Sequence, residues 1–272
     1  MRKINYSSAN TIFGVIVSIF SFVVFSLTVE PTASYWDCAE YISTSAKLQV
    51  GHPPGAPLFQ MLGAIFSTFA FESDQIALSI NMMSVTSSAL TILFLFWSIS
   101  HLIKGFVSLK KHISIIEAIK IFGSSTLGSL TFTFTDSFWY NAVEAEVYAM
   151  ASLILSLLFW LGLKWVENIE SERGDKWLIL ISFVIGLSFG VHFMGLLAIP
   201  AIGLLYYFKK YTFNLGSFLL ANIISISILL FIFKLLLPTT LSIFGYVEVF
   251  FVNEIGLPFN YGTIFSAIIL IL

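Results

Sequence analysis

Residues 77–103 read ALSINMMSVTSSALTILFLFWSISHLI, a stretch of 27 positions without a single Asp, Glu, Lys or Arg. About 20 consecutive apolar residues are enough for a helix to cross a bilayer. The stretch therefore predicts a membrane-spanning helix, and similar runs occur along the rest of the chain. These runs predict further spans at 11–29, 119–135, 147–165, 177–191, 193–208, 213–237 and from 263 to 272 onward, with a loop at 238–262.

The composition of the whole chain supports a membrane protein. Of the 272 residues, 58% are hydrophobic and only 10% are charged, and the mean hydropathy is +0.94. A soluble domain carries about 25% charged residues, so a water-soluble enzyme and a disordered chain are both excluded. The net charge of −2 provides no basic surface for a nucleic acid, which is excluded as a partner. We predict an all-α polytopic membrane protein embedded in the lipid bilayer.

The apolar run at 58–71 decides the orientation of everything that follows it. It has about 14 residues, which is short for a span. If it lies flat on the outer surface, eleven of the 13 Lys and Arg residues face the cytoplasm, whereas nine of those eleven move outside if it spans. Because cytoplasmic loops are enriched in Lys and Arg, we predict a cytoplasmic N-terminus and an interfacial helix at 53–71, started by the pair Pro53–Pro54.

Acidic residues segregate to the opposite side in this topology. Ten of the 15 Asp and Glu residues face outward together with His52 and His192, and Lys47 is the cation that most firmly accompanies them. A cluster of carboxylates and imidazoles at the outer interface is where we expect the chemistry. The single cysteine, Cys38, allows neither an internal disulfide nor a thiolate metal cluster.

The first outer loop contains two acids three positions apart, Asp37 and Glu40. From Asp37 onward the composition suits a short amphipathic helix, which would place both carboxylates on one face. At that spacing they can act as a base and its hydrogen-bond partner, or bind a divalent metal ion through oxygen. The alternative is purely structural, since the macrodipole favours acids at a helix N-terminus in any case.

The loop continues into Gly51-His52-Pro53-Pro54-Gly55-Ala56-Pro57, whose prolines and glycines predict a rigid, non-helical bend. This bend holds His52 at its tip, beside the outer leaflet. Since histidine changes charge near neutral pH, His52 can bind a phosphate when protonated or accept a proton when neutral. A plain joint between loop and helix, with a solvated histidine, is the alternative.

Two further groups face the same side of the membrane. The stretch 136–148 carries Glu144, Glu146 and Tyr148 among aromatic residues, and ionisable groups at membrane depth are costly unless they are paired or wet. This pattern indicates a water-filled cavity, with an interfacial aromatic belt as the alternative. His192 lies near the break between two short spans, where a lone histidine can also serve to pack helices.

Together these motifs resemble those of one enzyme family. The first outer loop reads D-x-x-E from Asp37 to Glu40, H-P-P-G-x-P follows at 52–57, and A-E-V-Y at 145–148 and His192 complete the set. The arrangement is similar to that of GT-C-type membrane glycosyltransferases, in particular a bacterial domain-of-unknown-function family related to multi-spanning transmembrane protein O-mannosyltransferases. The resemblance covers about residues 25–210.

The resemblance implies a GT-C-like bundle with interfacial helices in the first outer loop, of which residues 1–272 would be the N-terminal part. It implies a polyprenyl-phosphate-linked sugar as donor and a hydroxyl of an acceptor protein or glycan, usually Ser or Thr, as acceptor. Asp37 would deprotonate this hydroxyl with support from Glu40, and the oxygen would displace the polyprenyl phosphate with inversion. The expected location is a bacterial inner membrane, with the active site on the periplasmic face.

A departing polyprenyl phosphate needs a cation or a hydrogen-bond donor to offset its negative charge. Lys47 and His52 are the predicted phosphate contacts, with His192 a weaker third. Glu144, Glu146 and Tyr148 complete the predicted substrate-binding set. The carboxylates leave a divalent metal ion open as a cofactor, and no other cofactor is predicted.

Two other classes of function fit a chain of this composition. A secondary transporter or lipid flippase places ionisable residues near the bilayer midplane, often on broken helices in repeated halves. Here the acids gather at one interface and the sequence shows no internal repeat, which favours chemistry on a lipid head group. A non-catalytic membrane assembly subunit is the third interpretation.

Overall fold

The computed structural model describes residues 3–108 and 110–271. The protein is 77% helical, which confirms the all-α class predicted from the sequence. The chain forms two compact units, Met1–Ala198 and Ile199–Leu272. Arg2, one of the predicted cytoplasmic cations, and Leu272, the last residue of the predicted final span, lie outside the described residues.

The first unit consists of helices connected by short loops. In chain order they are α1 (Tyr6–Ser26), α2 (Cys38–Lys47), α3 (Pro57–Ser67), α4 (Ile76–Val107), α5 (Ile115–Ala118), α6 (Ser124–Thr133), α7 (Asp136–Ala142), α8 (Val147–Asn168) and α9 (Asp175–Ser188). A π-helical turn, Ile119–Gly123, joins α5 to α6, and a 3-10 turn, Phe193–Leu197, follows α9 after a break.

Helices α1, α4 and α8 form the centre of this unit, with α4 antiparallel to α1 and parallel to α8. Small polar residues line the α4 interfaces, and Ser84, Ser87 and Ser88 are all buried. Helices in a membrane approach closely where such small residues meet, and hydroxyl groups bond across the interface. One such bond runs from Ser18 Oγ of α1 to the carbonyl of Ala89 at 2.7 Å.

Because α4 and α8 both start where α1 ends, three connections lie at one end of the unit. These are the loop after α1 with α2 and α3, the loop between α7 and α8, and the break after α9. At the other end, two short strands, β1 (Ile4–Asn5) and β2 (His112–Ile113), pair antiparallel with Ile4 opposite Ile113. The predicted site residues therefore fall at the end that lacks the strands.

The predicted interfacial helix is shorter than the sequence suggested. We expected it at 53–71, starting at the proline pair, but α3 begins at Pro57. Pro57 suits the first helical turn because the missing N–H is one that needs no partner there. Residues before it form a turn, in which the N–H of Gly55 donates to the carbonyl of His52 at 2.8 Å.

The second unit corrects another expectation. Its helices are α10 (Ala198–Lys210), α11 (Leu215–Phe231), α12 (Leu237–Asn253) and α13 (Tyr261–Ile271). Residues 238–253 of the loop predicted at 238–262 are helical, and a π-helical turn, Ile232–Leu236, carries α11 directly into α12. Pro238 is the second residue of α12, directly after the π-helical turn, and the helix continues through it.

Five helical stretches among the described residues are long and apolar enough to cross a membrane. They are Tyr6–Ser26, Ser73–Val107, Val147–Asn168, Phe193–Lys210 and Leu215–Asn253. The last has 39 residues and a length of about 58 Å, against a hydrocarbon core of about 30 Å. The predicted spans at 119–135 and 177–191 fall on the α5–α6 stretch and on α9, which are not among the five, and their crossing stays a prediction.

Candidate active site

The start of α2 and the end of the loop that follows it lie together in space. Asp37 is the N-cap residue of α2, and Glu40 lies in its first turn. After the helix ends at Lys47, Leu48 adopts a left-handed conformation (φ 49°) and turns the chain back. At Gly51 the returning chain passes so close that a Cβ atom would lie 3.3 Å from Glu40 Oε1. A glycine at this point thus permits the approach that brings the next residue, His52, to Glu40.

His52 lies between two carboxylates. Its peptide N–H donates to Glu40 Oε1 at 2.6 Å, and its Nδ1 lies 3.0 Å from Glu40 Oε2. The other ring nitrogen, Nε2, is 3.6 Å from Asp37 Oδ2. The hydrogen bond from the His52 N–H is the main reason why the pKa of Glu40 is lowered, followed by the bond from the ring. Glu40 thereby holds the imidazole with Nε2 directed at Asp37.

Five of the eight predicted site residues line one cavity of about 190 Å³. They are Asp37, His52, Glu146, Tyr148 and His192. The remaining walls come from Tyr41, from the turn before α3 and from the break after α9, which contributes Phe189, Val191 and Phe193. Among the described residues, none of those lining the cavity is Lys or Arg.

Glu146 is the most buried ionisable group of this cavity. It is the N-cap residue of α8, and only 7% of its surface is exposed. Burial is the main cause that raises its pKa to about 7, and the charges of Asp37 and Glu144 add to the effect. Because a buried carboxyl near other carboxylates resists ionisation, Glu146 carries a proton for part of the time at neutral pH and can then donate a hydrogen bond.

His192 faces Tyr148 across the cavity, with their ring centroids 5.3 Å apart. Its Nδ1 accepts a hydrogen bond from the N–H of Met194 at 3.1 Å and so caps the 3-10 turn. Burial lowers the pKa of His192, which favours the neutral ring. In that form the proton lies on Nε2, since Nδ1 is the acceptor. His192 therefore stabilises the local fold and also offers a donor.

The break that carries His192 is attached to α3. The carbonyl of Gly190 accepts hydrogen bonds from the N–H groups of Leu58 at 2.7 Å and of Phe59 at 3.1 Å. A Cβ atom at position 190 would lie 2.7 Å from the Leu58 Cβ atom, so the close approach requires glycine. These contacts place the His192 wall of the cavity against the start of α3.

The cavity is not lined by three of the predicted site residues, namely Glu40, Lys47 and Glu144. Lys47 is exposed and lies in the last turn of α2, roughly 15 Å along the helix from Asp37. Its predicted contact with the donor phosphate stays a prediction. Glu144 is 4% exposed and accepts a hydrogen bond from the Ser34 hydroxyl, and burial raises its pKa. Glu144 thus joins two loops behind the cavity.

The sequence analysis missed Tyr41, which lines the cavity between His52 and Phe59. Its ring centroid is 5.8 Å from that of His52 and 5.1 Å from that of Phe59. Burial is the main cause that raises the pKa of Tyr41 to about 12, and the neighbouring carboxylates add to it. The phenol therefore keeps its proton and remains a hydrogen-bond donor. Tyr41 comes four residues after Asp37, the spacing of neighbours on one helix face, and this signal could have identified it.

The group formed by Asp37, Glu40 and His52 fits a divalent metal ion. Each residue offers one ligand atom, and these atoms lie within 4.8 Å of one another. Both oxygens of Glu40 already accept bonds from His52, which leaves Asp37 Oδ2 and His52 Nε2 as the free donors. A carboxylate that holds the far nitrogen of an imidazole is a common second partner of metal-bound histidines. Oxygen and imidazole ligands suit ions such as Mn²⁺.

Comparison with known proteins places this site within one family. Residues 37–215 match the family described as Protein O-mannosyl-transferase TMEM260 N-terminal domain. The chain belongs to this family. The part that matches the TMEM260 N-terminal domain begins at Asp37 and includes every residue that lines the cavity. The resemblance inferred from the motifs is confirmed as a membrane O-mannosyltransferase-like family.

Two relatives of the TMEM260 family illustrate the degree of similarity. The chain is 26% identical over 189 residues to Protein O-mannosyl-transferase tmem260 of Dictyostelium discoideum, which covers 65% of this chain and 21% of the relative. It is 27% identical over 177 residues to Protein O-mannosyl-transferase TMEM260 of Mus musculus, which covers 63% and 22%. The chain thus spans about a fifth of the length of these relatives. No solved structure matches the chain.

Proposed function

We propose that this chain provides the active site of a glycosyltransferase that moves a sugar from a polyprenyl-phosphate donor to a Ser or Thr hydroxyl of a protein. The observation that carries the proposal is the cavity beside Asp37, which combines carboxylates and two imidazoles inside the stretch that matches the TMEM260 N-terminal domain. Its volume of about 190 Å³ is below the roughly 300–1,000 Å³ of sites that enclose drug-sized ligands. Such a volume suits a single sugar ring.

Asp37 is the general base of the proposed reaction. It takes the proton of the acceptor hydroxyl while the oxygen forms a bond to the anomeric carbon. The bond between that carbon and the phosphate oxygen breaks, and the polyprenyl phosphate leaves with the electron pair. Attack from the face opposite the phosphate inverts the anomeric configuration. Since Oδ2 of Asp37 faces His52, the second carboxylate oxygen is left for the acceptor.

Glu40 and His52 support this base. Glu40 fixes the imidazole through two hydrogen bonds, and Nε2 of His52 is held 3.6 Å from Asp37 Oδ2. Held in this way, His52 keeps the Asp37 side chain in one orientation. A preorganised base needs no rearrangement at the moment of reaction, which lowers the barrier.

The leaving phosphate is stabilised by hydrogen-bond donors in this proposal. The cavity offers the Tyr41 phenol, the protonated carboxyl of Glu146 and the Nε2–H of His192, besides His52. Because no Lys or Arg of the described residues lines the cavity, these groups are the donors that the protein itself offers to the departing phosphate. Lys47 would reach the phosphate only outside the cavity.

A divalent metal ion is a further part of the proposal. Asp37 and His52 would hold it, with Glu40 orienting the imidazole. Bound there, the ion would supply positive charge next to three carboxylates and a phosphate. The membrane face is inferred from the distribution of charge alone, and the site lies on the outer side if the basic loops are cytoplasmic.

The experiment that tests this function is a transfer assay in membranes that contain the chain in its full-length protein. The probes are radiolabelled polyprenyl-phosphate mannose and a Ser/Thr-rich acceptor peptide. We expect label on the peptide and none in membranes without the protein. Label that crosses the bilayer but stays on lipid would favour a flippase, and lack of transfer with several sugars would favour an assembly subunit; either result overturns the proposal.

A further inference from the structure

One side chain in the centre of the unit connects the segments that carry the two cavity carboxylates. Asn81 lies in the second turn of α4 and has no exposed surface. Its Nδ2 donates to the carbonyl oxygens of Glu30 at 2.6 Å and Thr32 at 2.8 Å. Its Oδ1 accepts from the N–H of Ala145 at 2.9 Å and from Cys38 Sγ at 3.9 Å. Both the nitrogen and the oxygen of the Asn81 amide thus have two hydrogen-bond partners.

These partners are next to the reactive groups in the sequence. Cys38 follows Asp37 directly, and Ala145 directly precedes Glu146. Both carboxylates line the same cavity, although they belong to loops more than 100 residues apart in the chain. The Asn81 amide bonds to both loops from the rigid α4, so it determines where each loop lies relative to the other.

Only an amide satisfies all of these contacts. The amide nitrogen of Asn81 donates to two backbone carbonyl groups, and its amide oxygen accepts from two donors. Aspartate has the same shape but presents oxygens to the carbonyls of Glu30 and Thr32, which repel them. An apolar side chain leaves buried backbone groups without partners, and such groups are costly to bury.

We propose that Asn81 is a positioning residue that sets Asp37 and Glu146 at their working separation across the cavity. It acts through the two loops and touches no substrate. This inference rests on the proposed transfer reaction for its functional meaning, while its geometric content can be tested without any activity.

The native thiol provides the geometric test. Cys38 is the single cysteine of the chain and is completely buried against Asn81. We expect Asn81→Ala and the isosteric Asn81→Asp to increase the rate of Cys38 labelling by a maleimide at least tenfold in purified protein in detergent. Labelling is compared below the melting temperature of every variant, so that global unfolding does not contribute. Equal labelling rates in wild type and both variants would overturn the proposal.

Ser84→Ala is the matched control on the same helix. Ser84 is buried three residues from Asn81, and within the described residues its Oγ has no hydrogen-bond partner. This variant changes the same buried helix without touching either loop, and we expect it to leave the labelling rate unchanged. An increase equal to that of Asn81→Ala would show that any change in α4 exposes the thiol, and would overturn the specific role.

The functional test asks whether Asn81→Ala changes kcat or KM in the transfer assay. We expect Asn81→Ala to lower kcat at least tenfold and to leave the donor KM within about twofold, because the reacting groups are displaced while the lipid is still bound. An unchanged kcat, or a loss in KM alone, would contradict positioning. If the wild type transfers no sugar, the proposed function fails, and the labelling result alone decides the role of Asn81.

Discussion

Glu40 binds His52 twice, through the peptide N–H at 2.6 Å and through ring Nδ1 at 3.0 Å. The two residues are twelve positions apart, and a helix with a reversed chain lies between them. This double attachment fixes both the position and the orientation of the imidazole. Glu40 is therefore not free to act as a second base, and its role is to hold His52 against Asp37.

A double-mutant cycle between Glu40 and His52 tests this attachment. Partners that orient a functional histidine typically contribute about 10- to 100-fold to activity, and we expect Glu40→Gln to lower the transfer rate by about that factor. His52→Ala should lower it by a similar factor, and the double variant should be no worse than either single variant. Additive losses, measured as kcat in membranes with equal protein content, would contradict a shared role.

Asp37→Asn removes the proposed base without changing its shape. General base catalysis contributes about 10²–10⁴-fold, and we expect the transfer rate to fall by at least a hundredfold while the protein still inserts into the membrane. Ser43→Ala is the control on the same helix, since the Ser43 hydroxyl is exposed and bonds only to carbonyls of α2. Turnover of Asp37→Asn near that of the control would exclude Asp37 as the base.

The raised pKa of Glu146 predicts a pH dependence. Its carboxyl is neutral below a pKa of about 7 and ionised above it. If the neutral form donates a hydrogen bond to the substrate, transfer declines as the pH rises through 7. Glu146→Gln keeps a donor that does not titrate, so its rate should decline less than that of the wild type as the pH rises through about 7. The same alkaline decline in wild type and in Glu146→Gln would assign the titration to another group.

Metal binding is measured most directly with Mn²⁺ alone. We expect purified protein treated with EDTA to bind one Mn²⁺ in a spectroscopic or calorimetric titration, and His52→Ala to weaken this binding at least tenfold. Ser43→Ala should bind as the wild type does. In the transfer assay, EDTA should remove activity and Mn²⁺ should restore it. Binding that does not depend on His52 would place any ion elsewhere.

Cysteine accessibility tests the orientation inferred from charge. Ser73 follows the loop after α3 and is exposed, and Ser171 is exposed in the loop between α8 and α9 at the other end of the unit. With Cys38 buried, Ser73→Cys should react with an impermeant maleimide added to right-side-out vesicles. Ser171→Cys should react only after the vesicles are opened. The reverse pattern would show that α3 and the site face the cytoplasm.

The positions of the helices could be predicted where a long apolar run alone determines them. The run at 77–103 lies inside α4, and the break near Gly190 falls between α9 and the 3-10 turn. Boundaries that depend on proline were predicted less well. The pair Pro53–Pro54 precedes α3 instead of starting it, and Pro238 lies within the first turn of α12. Proline permits either a first turn or a bend, and tertiary contacts choose between them.

The site was predictable in its residue types but less so in its distances. The spacing of Asp37 and Glu40 predicted a shared helix face, and the glycine and proline motif predicted a fixed His52. The contact between them depends on the left-handed Leu48, which no local preference indicates. Asn81 was missed because a polar residue within an apolar run shows its partners only once the loops are in place. Lys47 lies at the other end of α2 from Asp37, and the spacing in the sequence did not indicate this separation.

The attachment of α3 to the carbonyl of Gly190 has a mechanical consequence. The N–H groups of Leu58 and Phe59 both donate to this carbonyl, so the start of the short helix is attached to the wall that bears His192. If α3 lies at the lipid surface, as its composition predicts, the position of this helix sets the depth of the cavity relative to the lipid headgroups. The lipid-linked donor and the water-soluble acceptor then meet at a depth that is set by the bilayer surface.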